Sequence, residues 1–341
     1  MNRFTKCLLV LVMALFLGFP AIGTSEEVKL TNPATLSWVA GGVGGGWYVQ
    51  AGGIAAMISE KEPKLILKVI PGGGLVNPVR ISNGTEDIGW GITFVDKMAY
   101  SGMEPLFEKP NPNVRSLGGI FGTYYVHIMA AQDQGIQSLS DIEDKIKAGK
   151  AIKIAIPMKG TSDLPLIENI LQSNNIFETE IKKAGGKVFQ ANYADMVNLY
   201  QDRHVDIIAT HLALPASAIT EMRVSRPGKL LNIPDQCIDS LSKTLGTLPK
   251  SSEMHIIPKG TYKDQSDDVS TVTSTGELLV GSHVKDEVAY TITKILCQNI
   301  EELYKINNAN KTFIPEKGWV NVAVPLHPGA EKYYKEAGYM K

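Results

Sequence analysis

Three glycine-bearing loops, each set between a short apolar run and the start of an amphipathic segment, limit the folds open to this chain. Gly41-Gly42-Val43-Gly44-Gly45-Gly46 follows the apolar stretch at residues 36–40. Pro71-Gly72-Gly73-Gly74 follows residues 65–70, and Lys159-Gly160-Thr161-Ser162 follows residues 153–156. Helices are expected over 48–59 and 75–82, with a turn at Asn83-Gly84 and a strand over 88–92. Repetition of strand, glycine loop and helix is the pattern of a parallel, doubly wound sheet covered by helices, an α/β fold. The same grammar restarts later. A strand is expected over 125–131. A helix over 140–148 would be capped by Ser140 with Glu143 completing the box. Strands follow at 153–156 and 205–210, with a helix near Pro215. A long helix over 285–306 and a last helix opened by His327-Pro328 close the chain.

Two successive α/β units in 341 residues imply two lobes, since a single core rarely keeps growing at that length. No Pro/Ser linker separates them, so strands crossing between the lobes as hinges are expected. The division expected is residues 28–124 with 277–341 as one lobe and 125–276 as the other.

The N-terminus reads as an export signal. Arg3 and Lys6 precede an apolar run from Cys7 to Phe19, then Pro20 and the small-residue end Ala21-Ile22-Gly23. About 13 apolar residues are too few to span a bilayer. Cleavage is expected between Gly23 and Ser25, placing the mature protein in the periplasm. It removes two positive charges from a net charge of −1, leaving −3. That balance argues against a nucleic-acid partner, which needs surplus Lys and Arg. Two cysteines remain, Cys237 and Cys297, and two readings stay open: a disulfide, or two buried free thiols.

Signatures of catalysis are missing from the sequence. It holds no G-x-S-x-G elbow, no H-E-x-x-H and no C-x-x-C. The six histidines are scattered without a metal-ligand spacing, and Asp267-Asp268 lacks the alternate carboxylates of a calcium loop. No catalytic residue, cofactor or metal is therefore expected. The first glycine loop fails the dinucleotide fingerprint, because Trp47 or Val49 falls where the third glycine belongs. Its physical content remains. Glycines let backbone approach a ligand, and the helix start behind them presents unpaired N–H groups and partial positive charge. Loops at the C-terminal ends of strands, in two lobes, are where open α/β sheets bind ligands. The candidate binding set is Gly42, Val43, Gly44, Gly45, Trp47, Tyr48, Gly73, Gly74, Asn77, Thr93, Phe94, Tyr125, Lys159, Gly160, Thr161, Thr210 and His211. Trp90 and Tyr124 lie near later strand ends.

The stretch Gly41 to Tyr48 resembles the first motif of the TAXI family, the TRAP-transporter-associated extracytoplasmic solute receptors. The similarity runs on through Gly72-Gly73 with Asn77, Glu86-Asp87-Ile88, Gly160-Thr161, Val205-Asp206 and Pro258-Lys259-Gly260-Thr261-Tyr262. It closes with residues 325–334, from Pro325-Leu326-His327-Pro328 to Tyr333-Tyr334. The resemblance implies the two-lobed type II periplasmic binding fold and a monomer that delivers a small organic acid to a TRAP permease in the inner membrane. Glutamate-like amino acids and dicarboxylates are the ligands it implies. The chain departs from the family where Pro71 and Gly74 replace hydroxyl residues. Phe94, Lys159, His211 and Leu212 stand where small residues are common, so the pocket edge is bulkier and less hydroxylic. Lys159 and His211 either add charge for a different anion or face solvent. A rival reading, an exported enzyme on the same scaffold, needs a nucleophile–base pair such as Ser162 with His211. A third reading has the binding protein report to a sensor kinase.

Overall fold

The computed structural model describes residues 30–42, 46–104 and 106–341, without the side chain of Glu253. The export signal at 1–23 and its cleavage site lie outside the described residues, as do Val43, Gly44 and Gly45 of the first loop.

The first half runs β1 (Ala34–Val39), α1 (Gly46–Lys61), β2 (Leu65–Ile70), α2 (Asn77–Ser82), β3 (Ile88–Ile92) and α3 (Thr93–Ser101). A long strand, β4 (Val114–Ala131), leads out of it. The second half holds α4 (Leu139–Lys147), β5 (Lys153–Pro157), α5 (Asp163–Ser173), α6 (Glu178–Lys183), β6 (Lys187–Ala191), α7 (Tyr193–Gln201), β7 (Ile207–Leu212), α8 (Ser217–Ser225), β8 (Gly228–Leu230) and α9 (Asp235–Thr244). A small pair, β9 (Ile256–Ile257) with β10 (Val269–Ser270), precedes β11 (Thr273–Gly281), and α10 (Asp286–Gln298), α11 (Ile300–Ile306) and α12 (Pro328–Glu336) complete the chain.

The strand order is β2-β1-β3-β11-β4-β7-β5-β6, with β8 on β4. Pairing of β1 with β2 and β3 is parallel, as is pairing of β5 with β6 and β7. Between these two parallel sets stand β11 and β4, antiparallel to each other and to their outer neighbours. The strands β4 and β11 thus join the two parallel sets into one hydrogen-bonded sheet.

Local sequence sets several helix starts. His327 caps α12 by accepting from the Gly329 amide, with Pro328 in the first turn. At α4 the box is Ser138 with Asp141, not Ser140 with Glu143: the Ser138 hydroxyl accepts from the Asp141 amide and the Asp141 carboxylate accepts from the Ser138 amide at 3.0 Å. The long C-terminal helix divides at Asn299 into α10 and α11.

One core lies around Trp38, Trp90, Phe121 and Phe313, the last two stacked 4.2 Å apart, under α1, α10 and α12. A second unites the sheet residues Ile154, Ile156, Ile207 and Ala209 with α4, α5 and α9. Phe94, Val95 and Met98 of α3 pack into this second core although α3 follows a strand of the first lobe. Phe94 is fully buried, so the expectation that it lines a pocket is corrected: its ring serves packing between the halves. Cys237 and Cys297 are both buried free thiols, which decides between the two readings. Among the described residues no helix is long and apolar enough to cross a membrane.

Candidate functional site

In the first lobe, the C-terminal ends of β1, β2 and β3 are tied together by one side chain. Asn77, fully buried at the start of α2, donates from Nδ2 to the carbonyls of Ala40 and Trp90, both at 2.8 Å, and its Oδ1 accepts from the Gly73 amide at 2.9 Å. Both amide hydrogens are engaged by backbone. The expectation that Asn77 reaches outward to a ligand is therefore corrected: it shapes the loop that would do so. Gly72 must be glycine here, because a Cβ would collide with the Asn77 Oδ1 and the Val39 side chain. The Gly72 amide also donates to the Gly41 carbonyl at 3.1 Å, joining the first two glycine loops.

The second lobe presents Lys159-Gly160-Thr161-Ser162 between β5 and α5. Gly160 has φ +88°, the left-handed region that glycine adopts without steric cost. The Thr161 hydroxyl donates to the Met158 carbonyl at 2.8 Å and accepts from the Leu164 amide at 3.4 Å, so it closes its own loop. Beside it, Asp163 gathers three partners. Its Oδ1 accepts from Ser162 Oγ at 3.2 Å and from His211 Nδ1 at 3.1 Å, and its Oδ2 accepts from the Tyr193 hydroxyl. Donation to a carboxylate places the His211 proton on Nδ1. The other ring nitrogen then accepts from Ser274 Oγ at 3.1 Å, tying β7 to β11, and lies 3.2 Å from the Tyr124 carbonyl oxygen.

The two sets of loops meet. A Cβ placed on Gly73 would stand 3.1 Å from the Gly160 carbonyl oxygen, and one on Gly74 would stand 2.5 Å from Ser162 Oγ. Below this contact Trp47, in the first turn of α1, donates from its indole nitrogen to the Tyr124 hydroxyl at 2.7 Å. The Tyr124 ring in turn meets His211 edge-on at 5.9 Å. Burial pushes the Tyr124 hydroxyl up to about 12, so it remains a neutral phenol that can accept from the indole. Glycine turns from both lobes thus meet in direct contact, with Trp47, Tyr124 and His211 linked to one another nearby.

The remaining candidates are distributed around this centre. Gly42 is exposed with open space around it, and Tyr48 is half-buried against the first core. The Thr93 hydroxyl lies 3.4 Å from that of Thr275 on β11. Tyr125 is half-buried on β4, opposite Leu212. Lys159 is exposed, whereas His211 is 3% exposed and turned inward. Thr210 is fully buried and its hydroxyl has no partner. Asp163, Tyr193 and Ser274 were not in the candidate set. Asp163 carried a readable signal, an acid in the first turn of a helix directly behind a glycine loop; Tyr193 and Ser274 carried none. The nucleophile–base arrangement needed for an enzyme is not formed by Ser162 and His211, since both bind the same oxygen of Asp163 and the carboxylate stands beside the hydroxyl. Among the described residues no three His, Cys, Asp or Glu side chains gather as metal ligands.

Residues 39–338 match the sequence profile of the NMT1-like family. Three solved structures share the architecture at low identity. MatC (Rpa3494) from Rhodopseudomonas palustris, solved with bound malate, has a TM-score of 0.53 at 11% identity over 90% of this chain and 97% of that one. The periplasmic binding protein BugD has 0.52 at 16% identity over 92% and 100%. A TctC solute-binding protein from Polaromonas has 0.50 at 13% identity over 91% and 99%. The fold is therefore the two-lobed α/β fold of periplasmic binding proteins, as the family resemblance implied.

Proposed function

Because the chain belongs to the NMT1-like family, and because glycine loops of its two parallel strand sets meet, we propose that it is an extracytoplasmic solute-binding protein. It captures a small organic anion between lobes made of residues 28–124 with 277–341 and of residues 125–276. The observation that carries this reading is the approach of Gly73 and Gly74 to Gly160 and Ser162 at the C-terminal edges of two parallel strand sets. That edge is where α/β sheets offer backbone N–H groups and helix starts to a ligand.

The 16-residue α1 and the 11-residue α5 both begin directly behind these loops. Each helix start contributes about 0.3–1 kcal/mol toward an anion, more when water is excluded. Micromolar affinity needs about −8 kcal/mol, so several backbone contacts and apolar burial against Trp47, Tyr48 and Tyr125 have to act together. Within this reading Gly42 to Gly45, Gly73, Gly74, Gly160 and Thr93 approach the ligand, Asn77 and Thr161 hold the loops, and His211 with Asp163 fixes the floor. A ligand gripped by both lobes favours the closed state, because only differential affinity shifts such an equilibrium.

The finer assignment follows the TAXI-like motifs. The protein acts as a monomer in the periplasm after loss of its leader and delivers the anion to a TRAP permease, without a cofactor. Bound malate in MatC supports a small organic acid as the class of cargo. The test is to denature purified protein, identify released small molecules by mass spectrometry, and titrate them back while following tryptophan fluorescence. Saturable quenching or enhancement by an organic acid, lost on changing Trp47 to Phe, is expected. A broad acid library that leaves fluorescence and thermal stability unchanged contradicts the reading.

A further inference from the structure

A second polar centre lies away from the cleft, inside one rung of the sheet. Glu277 of β11 pairs with Gly91 of β3 on one side and with Gly119 of β4 on the other. Residues directly opposite in an antiparallel rung project to the same face. On that face both glycines leave room for oxygen. A Cβ on Gly91 would collide with the Asp96 carboxylate, and one on Gly119 would stand 2.9 Å from the Asn321 carbonyl oxygen and 3.0 Å from that of Val320. Asn321 itself has φ +56°, a conformation uncommon for a residue with a side chain.

Asp96 and Glu277 are both fully buried. Glu277 Oε2 accepts from the Ala323 amide at 3.0 Å, but Glu277 Oε1 and both oxygens of Asp96 receive no hydrogen bond. Two adjacent carboxyls removed from water, with three bare oxygens, are neutralised either by protons or by a compensating positive charge. From this arrangement we propose that Asp96 and Glu277, with the Val320 and Asn321 carbonyls, form a binding site for one calcium-like divalent cation. The donor set is all oxygen, as hard cations require, and two carboxylates balance a charge of two. Calcium tolerates irregular oxygen sets and sheds its water, whereas magnesium demands octahedral geometry and keeps several waters, which a fully buried site excludes.

The site is independent of the cleft, so its test needs no solute. Full-length protein stripped with chelator is titrated with CaCl2 and with MgCl2 while thermal unfolding is recorded. Calcium is expected to raise Tm by roughly 5 °C at a hundredfold excess over Kd, and magnesium to do little. Asp96→Asn and Glu277→Gln should each abolish the response. Should either variant fail to fold, terbium serves on the native protein. Trp90, adjacent to Gly91 in β3, is placed to sensitise its emission, and CaCl2 should quench that signal by displacement. Absence of both the Tm shift and displaceable terbium emission overturns the proposal. So does a native protein whose stability follows pH but not calcium, for then protons neutralise the pair.

Discussion

Gly74 and Ser162 touch across the cleft so closely that the glycine has no room for a Cβ, which would stand 2.5 Å from Ser162 Oγ. Neither residue supports its own lobe through this contact, so substitution should act on closure. Gly74→Ala is expected to weaken solute binding at least about tenfold, equivalent to about 1.4 kcal/mol, while Tm stays nearly unchanged. Adding Ser162→Gly should restore most of the loss. Calorimetric titration of the four proteins in the cycle checks this, and an additive cycle would contradict the contact.

Asn77 holds three strands together, donating from Nδ2 to the Ala40 and Trp90 carbonyls and accepting at Oδ1 from the Gly73 amide. Asn77→Asp keeps the shape but turns an oxygen toward the carbonyls of Ala40 or Trp90. The expected loss is about 3 kcal/mol of unfolding free energy, measured by urea denaturation, together with loss of solute binding. A variant with native stability would show that the loop is held otherwise.

Acid should destabilise the second lobe through His127. The ring is fully buried on β4, with Nδ1 2.9 Å from the Tyr125 carbonyl and Nε2 2.7 Å from the Tyr262 hydroxyl. Burial above all, with a lesser push from His211, holds its pKa down at about 3, from an ordinary value of 6.5. The unfolded chain therefore binds the proton first. The stability from the neutral ring is fully present above pH 6.5 and is lost as pH falls toward 3. Relative to His127→Gln, which cannot titrate, the native protein should lose on the order of 3 kcal/mol between pH 6.5 and 4. Parallel pH profiles of the two proteins would contradict the buried neutral ring.

What could be read in the sequence divides along physical lines. The strands Leu65–Ile70 and Ile88–Ile92 sit where apolar runs between turn signals put them, and His327-Pro328 opens α12 as its cap chemistry dictates. The strands β4 and β11 were harder to find. The first half of β4 holds Gly118, Gly119 and Gly122, which erase alternation, and Ile120 there adopts φ +63°. All of β11 is buried, yet its Thr-Ser-Thr-Gly-Glu start reads as a polar loop, because those side chains serve pairing and the Asp96–Glu277 centre. Site residues suffered in the same way. The glycine turns were legible because their chemistry is local. Phe94 was misread because its ring packs into the core of the other half, and Asn77 because its partners lie on strands distant in sequence. Asp163, Tyr193 and His211 come together only through folding of three separate elements.

Small-angle X-ray scattering of the protein, with and without the solute recovered from it, measures lobe closure most directly. Closure on a shared gap predicts a smaller radius of gyration with solute bound, and no contraction in Gly74→Ala at the same concentration. Identical scattering curves for the native protein, at a concentration where calorimetry shows saturation, would contradict it.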